Sequence, residues 1–262
     1  VFNCWPREKE LHLRLSDIGM VAGDTSRTRA YLQALERNGL LPSFVLVLEN
    51  PADSPLPGQL SRSGGEVSSP VTETDACWSE AHFDPSLSNR DLLDERAIPY
   101  EVLASKDIND PSVVEAIRRR IEPVFIYSGF GGALLRKEVL STGKRFLHVH
   151  GGYLPEYKGS TTNYYSLLVE ETMGASAIFL NEEIDCGPVL LRRKFSSPAN
   201  RQAIDHLYDS GARAKVLVET LKRHLACGGW EFELPDNVGG ETYYIIHPVL
   251  KHIAILGGGS CE

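Results

Sequence analysis

Three side chains form a set able to move protons and hold a developing negative charge: His148, His150 and Asp185. The histidines lie two apart in the apolar run Phe146 to His150 (FLHVH), so on a strand both side chains face the same way. Asp185 sits in the acidic turn Asn181-Glu182-Glu183-Ile184-Asp185-Cys186-Gly187-Pro188. A neutral imidazole donates from one nitrogen and accepts at the other, and a charged one donates from both. With a carboxylate, such groups suit a tetrahedral intermediate, whose oxygen needs donors and whose protons need a carrier. Two imidazoles and a carboxylate are also a minimal metal-ligand composition, which makes a metal hydrolase using His148, His150 and Asp185 the rival reading. Taken singly, each residue has a plain alternative as a core histidine or a turn aspartate.

These residues need a scaffold, and the chain supplies the pattern of one. Asp17 to Gly23 and Phe44 to Leu48 read as buried strands on either side of a helix over Thr28 to Arg37, whose cap lies in Asp24-Thr25-Ser26. That βαβ opening predicts an α/β fold, a Rossmann-like domain with a mostly parallel sheet. Further helices are expected over Arg90 to Glu95, Asp110 to Arg120, Leu134 to Leu140 and Ala203 to Leu225. Strands are expected at Tyr100 to Leu103, Val124 to Ser128, Phe146 to His150, Ser176 to Leu180 and Val189 to Phe195. The three chemistry-bearing segments would then lie at carboxyl ends of neighbouring parallel strands, where open α/β sheets form ligand crevices. Between about 50 and 90, Pro, Ser and Gly dominate and predict a surface insertion. The domain reading is 1–200 as catalytic domain and 201–262 as a C-terminal helix with short strands, Thr242 to Ile246 and Ile253 to Leu256. Their open edges make a homodimer plausible.

Composition excludes several classes. The 262 residues carry 27 Lys+Arg against 35 Asp+Glu, a formal charge of −8. With pI near 5.5 and no long basic stretch, a nucleic-acid partner is disfavoured. No apolar run nears the roughly 20 residues of a spanning helix, and no secretory signal is visible, so no membrane partner and a cytoplasmic location are expected. The five cysteines are odd in number and form no C-x-x-C pair, which reads as reduced thiols.

As an ordered set, Tyr127 to Leu135 (YSGFGGALL), His148 to Gly159 (HVHGGYLPEYKG) and Asn181 to Leu191 (NEEIDCGPVLL) resemble the 10-formyltetrahydrofolate-dependent formyltransferase family. That family includes glycinamide ribonucleotide transformylase, methionyl-tRNA formyltransferase and the sugar N-formyltransferases. His150 falls on the family histidine, Leu154-Pro155 and Gly159 on its turn, and Ile184-Asp185-Cys186-Gly187-Pro188 on its aspartate motif. The resemblance spans roughly Asp17 to Phe195. It implies 10-formyltetrahydrofolate as formyl donor, with His150 holding the oxyanion and Asp185 orienting it and relaying protons. The folate would be gripped by Phe130, Gly131, Gly132, Ala133 and Leu134 and by Asn181, Glu182, Glu183 and Ile184. Tyr153, Asn163 and Ser176 fall to the acceptor side. One position departs from the pattern: His148 stands where the family has Asn, and it could still donate to the oxyanion, above all if charged beside Asp185.

The resemblance implies a small-molecule primary amine as acceptor. A methionyl-tRNA acceptor is disfavoured by the acidic charge and by a length with no room for a further β-barrel, and the 50–90 insertion separates the chain from glycinamide ribonucleotide enzymes. A nucleotide-linked amino sugar is the preferred acceptor, ahead of an amino-acid or siderophore-type amine. Formyl-folate hydrolysis and folate binding without turnover complete the alternatives.

Overall fold

The computed structural model describes residues 14–49, 78 and 80–257. Most of the insertion expected over about 50–90 lies outside them. A seven-stranded sheet is built around β2 (Ile18–Gly23), a run buried at every position, as suits a strand covered on both faces. On one side of β2 lie β4 (Val45–Leu48) and β5 (Tyr100–Leu103). On the other lie β6 (Val124–Ser128), β7 (Arg145–His150), β9 (Thr172–Phe179) and β10 (Val189–Ser196). A short parallel pair of β1 (Arg14–Leu15) and β3 (Leu41–Pro42) precedes β4. From β5 to β7 the pairing is parallel. The order turns around between β2 and β6, and such a switch opens a crevice beyond the strand ends.

Alternation along the strands sends side chains into two cores. Met20, Ala22, Ile126, Leu147 and Val149 face α1 (Ser26–Arg37) and α6 (Asp209–Cys227). Val21, Phe125, Tyr127 and Phe146 face α3 (Pro111–Arg119) and the single turn α4 (Lys137–Leu140). His148 and His150 share the parity of Phe146. The helix α1 starts where Thr25 Oγ1 accepts from the Thr28 amide at 3.2 Å and ends before Gly39, whose φ of +66° requires glycine. Between β4 and β5, α2 (Asn89–Glu95) is capped by Ser88, and α5 (Thr162–Glu170) lies between β7 and β9 in the chain. Asp110 caps α3, with Pro111 in its first turn. The first core cluster runs from Leu15 through Ala254, so residues on both sides of position 200 share it.

Four expectations are corrected. The helix expected from Leu134 forms only over Lys137–Leu140; residues 131–136 are loop. The strand β9 runs antiparallel to β7, pairing His150 with Ser176 and Leu147 with Phe179. The acidic turn that follows therefore leaves at the far end of β7 and folds back along it. The helix expected from Ala203 opens with a 3-10 turn (Arg201–Ala203) and a π-helical turn (Ile204–Tyr208) before α6 begins. Finally, Ile253 to Leu256 lies in a helix, α7 (Pro248–Leu256), capped by the His247 side chain. Among the described residues after α6 the one strand is β11 (Glu241–Tyr243), paired in parallel with β8 (Tyr157–Gly159). No helix among the described residues is long and apolar enough to cross a membrane.

Candidate active site

At the carboxyl end of β7 the His150 ring is 4% exposed and lies between two acceptors. Its Nδ1 is 3.3 Å from Asp185 Oδ2, and its Nε2 is 2.7 Å from the Tyr157 carbonyl. The carboxylate is positioned independently: Asp185 Oδ2 accepts from the Gly159 amide at 2.8 Å, and the residue has a φ of +52°, a left-handed conformation that Asp tolerates in turns. So the motif around Gly159 and the motif around Asp185, 26 residues apart, meet through one hydrogen bond.

Two clefts flank this pair. The first, of about 630 Å³, is lined by the loop Phe130 to Leu135, the turn Asn181 to Asp185, and by Tyr127, His148 and Arg27. It gathers every residue expected to grip folate: Phe130, Gly131, Gly132, Ala133, Leu134, Asn181, Glu182, Glu183 and Ile184. A Cβ added at Gly131 or Gly132 would meet nothing within 4 Å, so the first loop leaves space for a flat ring against its backbone. The Tyr127 hydroxyl is buried without a partner, and burial raises its pKa to about 12, which keeps it a donor at neutral pH.

His148 borders the same cleft, and its setting differs from the sequence expectation. Burial, then Arg27, Arg213 and His150, hold its pKa well below the ordinary imidazole value. Its Nδ1 lies 3.4 Å from the Tyr127 carbonyl, so the proton of the neutral ring belongs on Nδ1. A charged His148 beside Asp185 is therefore replaced by a neutral ring beside two guanidinium groups; Asp185 meets His150 instead. The three residues do not converge as a metal-ligand cluster.

The second cleft, of about 560 Å³, opens on the other side of His150 and is lined by Ser160, Thr162, Asn163, Asp205, Asp209 and Arg213 among others. The π-helical turn and the start of α6 supply Asp205 and Asp209, consistent with the use of such turns at sites. Asp209 is held by Arg213 Nε at 2.8 Å and by Asn163 Nδ2 at 2.9 Å. Burial lowers the Arg213 pKa, but Asp209, Tyr31 and Asp185 together outweigh it and the net shift is upward. Tyr164, which donates to Asp205 at 2.8 Å, has its phenol pushed up by burial and by that hydrogen bond.

Of the acceptor-side residues, Asn163 lines this second cleft, and its Oδ1 also accepts from the Gly174 amide at 2.7 Å. Two others are corrected. The Ser176 hydroxyl is fully buried and fastens the turn after β7, accepting from the Leu154 amide and donating to the Gly152 carbonyl. The Tyr153 ring lies under Arg192 and Lys194, away from both clefts. Side-chain direction turns both away from the two clefts.

Sequence reasoning missed Arg27 and Asn237. The Asn237 side-chain amide, in a residue 4% exposed, donates to the carbonyls of Asp185 at 2.7 Å and Gly187 at 3.0 Å, and its backbone carbonyl accepts from buried Lys158. A loop asparagine far along the chain carries no signal of this role. Removing its amide strands two carbonyls, at a cost of roughly 1–3 kcal/mol. Asn237→Ala is expected to lower Tm and to weaken formyl-folate binding by loosening the Asp185 turn, read by thermal melting and titration calorimetry; unchanged values in both would refute that role.

The family model described as formyl transferase matches residues 18–220. Methionyl-tRNA formyltransferase of Chloroflexus aggregans is 31% identical over 127 residues, 47% of this chain and 40% of that protein. The protein of the same name from Parafrankia sp. is 29% identical over 181 residues, 66% of this chain and 52% of its own. The chain thus spans about half or less of the length of these relatives. Among solved structures, a sugar N-formyltransferase from Shewanella sp. has a TM-score of 0.52 at 13% identity, covering 93% of this chain and 88% of that one. A 4-N formyltransferase from Francisella tularensis has a TM-score of 0.53 at 11% identity, covering 95% and 88%. At these identities the structures share the fold. Since the family match runs from the central strand into the later turns of α6, the chain belongs to the formyl transferase family.

Proposed function

We propose that the protein is a folate-dependent N-formyltransferase that moves a formyl group from 10-formyltetrahydrofolate to a primary amine of a small polar molecule. The observation that carries this reading is the Asp185–His150 contact, which joins the two clefts: Asp185 borders one and His150 the other. When bound, formyl-folate offers a carbonyl carbon to the amine. The first cleft suits it through its open glycine loop, the apolar Leu135 and Leu180, and the donor Tyr127. The Asp185–His150 pair would take the proton the amine gives up and return it to the departing folate nitrogen.

The acceptor cleft is polar, with hydroxyls, an amide and two carboxylates. That lining favours a hydroxylated amine over an aliphatic side chain. A nucleotide-linked amino sugar is the preferred acceptor, a reading supported by the sugar N-formyltransferases of the same fold.

The test is an amine screen with 10-formyltetrahydrofolate, following tetrahydrofolate release and N-formyl product together. The panel holds nucleotide-linked 3-amino and 4-amino hexoses, hydroxylated ornithine and methionyl-tRNA. Equimolar release and product with an amino sugar is the expected result. Formate release without acceptor would replace transfer by hydrolysis, and turnover of methionyl-tRNA alone would overturn the small-molecule assignment.

A further inference from the structure

Formyl transfer concentrates negative charge on one oxygen, and that oxygen needs a donor. Neither histidine presents one to the folate-side cleft, and the Tyr127 hydroxyl that lines it is a neutral donor, weaker toward an oxyanion than a cation. The His148 proton faces the Tyr127 carbonyl, leaving a lone pair on its other nitrogen, and both nitrogens of His150 already face oxygen acceptors. Arg27 is the one Arg or Lys among the residues lining that cleft. It stands in the first turn of α1, at the point where the sheet order turns around between β2 and β6. Its guanidinium is anchored on the β6 side, donating to Ser128 Oγ at 3.3 Å and to the Gly129 carbonyl.

The neighbouring arginines are neutralised. Arg29 is paired with Asp24 at 2.6 Å and Arg213 with Asp209 at 2.8 Å. Among the described residues, Arg27 has no carboxylate within ion-pair distance. Burial, then the nearby Arg213, pull its pKa below the ordinary guanidinium value, so its charge is held at a cost that an arriving anionic oxygen would relieve. A guanidinium stays protonated under such strain, unlike an imidazole.

We propose that Arg27 is a catalytic residue of this site, the charged donor that meets the formyl oxygen as the amine adds, with His148 lining the same cleft as a non-donating wall. This rests on the formyl-transfer reading above. The bond forming is amine nitrogen to formyl carbon, and the bond breaking is formyl carbon to folate nitrogen, whose electron pair takes up the proton carried by the Asp185–His150 pair. Arg27 exchanges no proton and contributes charge alone.

Three measurements on Arg27→Gln and Arg27→Lys test the assignment. Loss of an oxyanion donor typically costs about 10²- to 10³-fold in kcat. Arg27→Gln is expected to lose that much in formyl transfer, with Arg27→Lys recovering part of it. Binding of 5-formyltetrahydrofolate, which does not react, should stay within about threefold, as expected for a contact that strengthens in the transition state. In NMR titrations of labelled histidine, His148 should titrate at higher pH in Arg27→Gln, because one of its two neighbouring cations is gone. Thermal melting confirms that each variant is folded.

A kcat within threefold of wild type in Arg27→Gln would overturn the assignment. So would a loss confined to 5-formyltetrahydrofolate affinity, which would make Arg27 a folate-binding residue. Wild-type protein that neither binds 5-formyltetrahydrofolate nor formylates any amine overturns the formyl-transfer reading, and the Arg27 assignment with it. Wild-type protein that does both, beside fully active Arg27 variants, overturns the assignment alone.

Discussion

Asp185→Asn is expected to lower kcat for formyl transfer by about 10²- to 10⁴-fold, the range set by losing a positioned proton carrier. Asparagine keeps the size and an acceptor for the Gly159 amide, now 2.8 Å from the carboxylate, so the turn should hold its shape. What disappears is the negative charge 3.3 Å from His150 Nδ1. The amine's proton then has no carboxylate paired with His150 to receive it. Binding of 5-formyltetrahydrofolate and Tm should change little, which separates this loss from misfolding. His150→Ala should cost a similar factor, and the double variant should be little worse than either single one, because residues acting as a unit are not additive. A rate within tenfold of wild type in Asp185→Asn, or full additivity in the double variant, would remove the pair from the reaction.

Gly187→Ala should produce a large structural effect beside the site. A Cβ at 187 would lie 1.8 Å from the Phe179 carbonyl oxygen, a backbone atom that no side-chain rotation can clear. The Gly187 carbonyl also accepts from Asn237, so the shift would pass to the hydrogen bonds that pin Asp185. Overpacking of this kind costs roughly 1–3 kcal/mol or more, about 2–4 °C in Tm per kcal/mol for a domain of this size. The expected result is a Tm lower by roughly 3–10 °C and a loss of folate affinity beyond what unfolding explains. Gly229→Ala is the control: its Cβ would meet nothing within 4 Å, and its Tm should match wild type. Equal melting of the two variants would contradict the packing described.

The parallel half of the fold was legible because local rules act within short windows. Val124 to Ser128 and Val45 to Leu48 are apolar without alternation, as strands buried on both faces must be. The caps at Thr25 and Asp110 bond amides two or three residues away, so their signal lies in one turn of chain. The direction of β9 was not legible, since an apolar strand reads alike both ways and only the loop geometry sets it against β7. Nor was Ile253 to Leu256, where the helix capped by His247 and Pro248 overrode the strand preference of its isoleucines.

By itself the sequence determined which residue types are available and which stretches carry them: two histidines on one strand face, a carboxylate in a tight turn, and glycines at a ligand-sized loop. Only the tertiary structure decided their states and partners. It set Asp185 on His150 and not on His148, it placed two guanidinium groups, from Arg27 and Arg213, near His148, and it turned Ser176 and Tyr153 away from both clefts. The reason is physical. Covalent neighbours set backbone preference over a few residues, whereas burial, charge and hydrogen-bond partners come from segments such as Arg27, Arg213 and Asn237 that meet His148 and Asp185 only when the chain is folded.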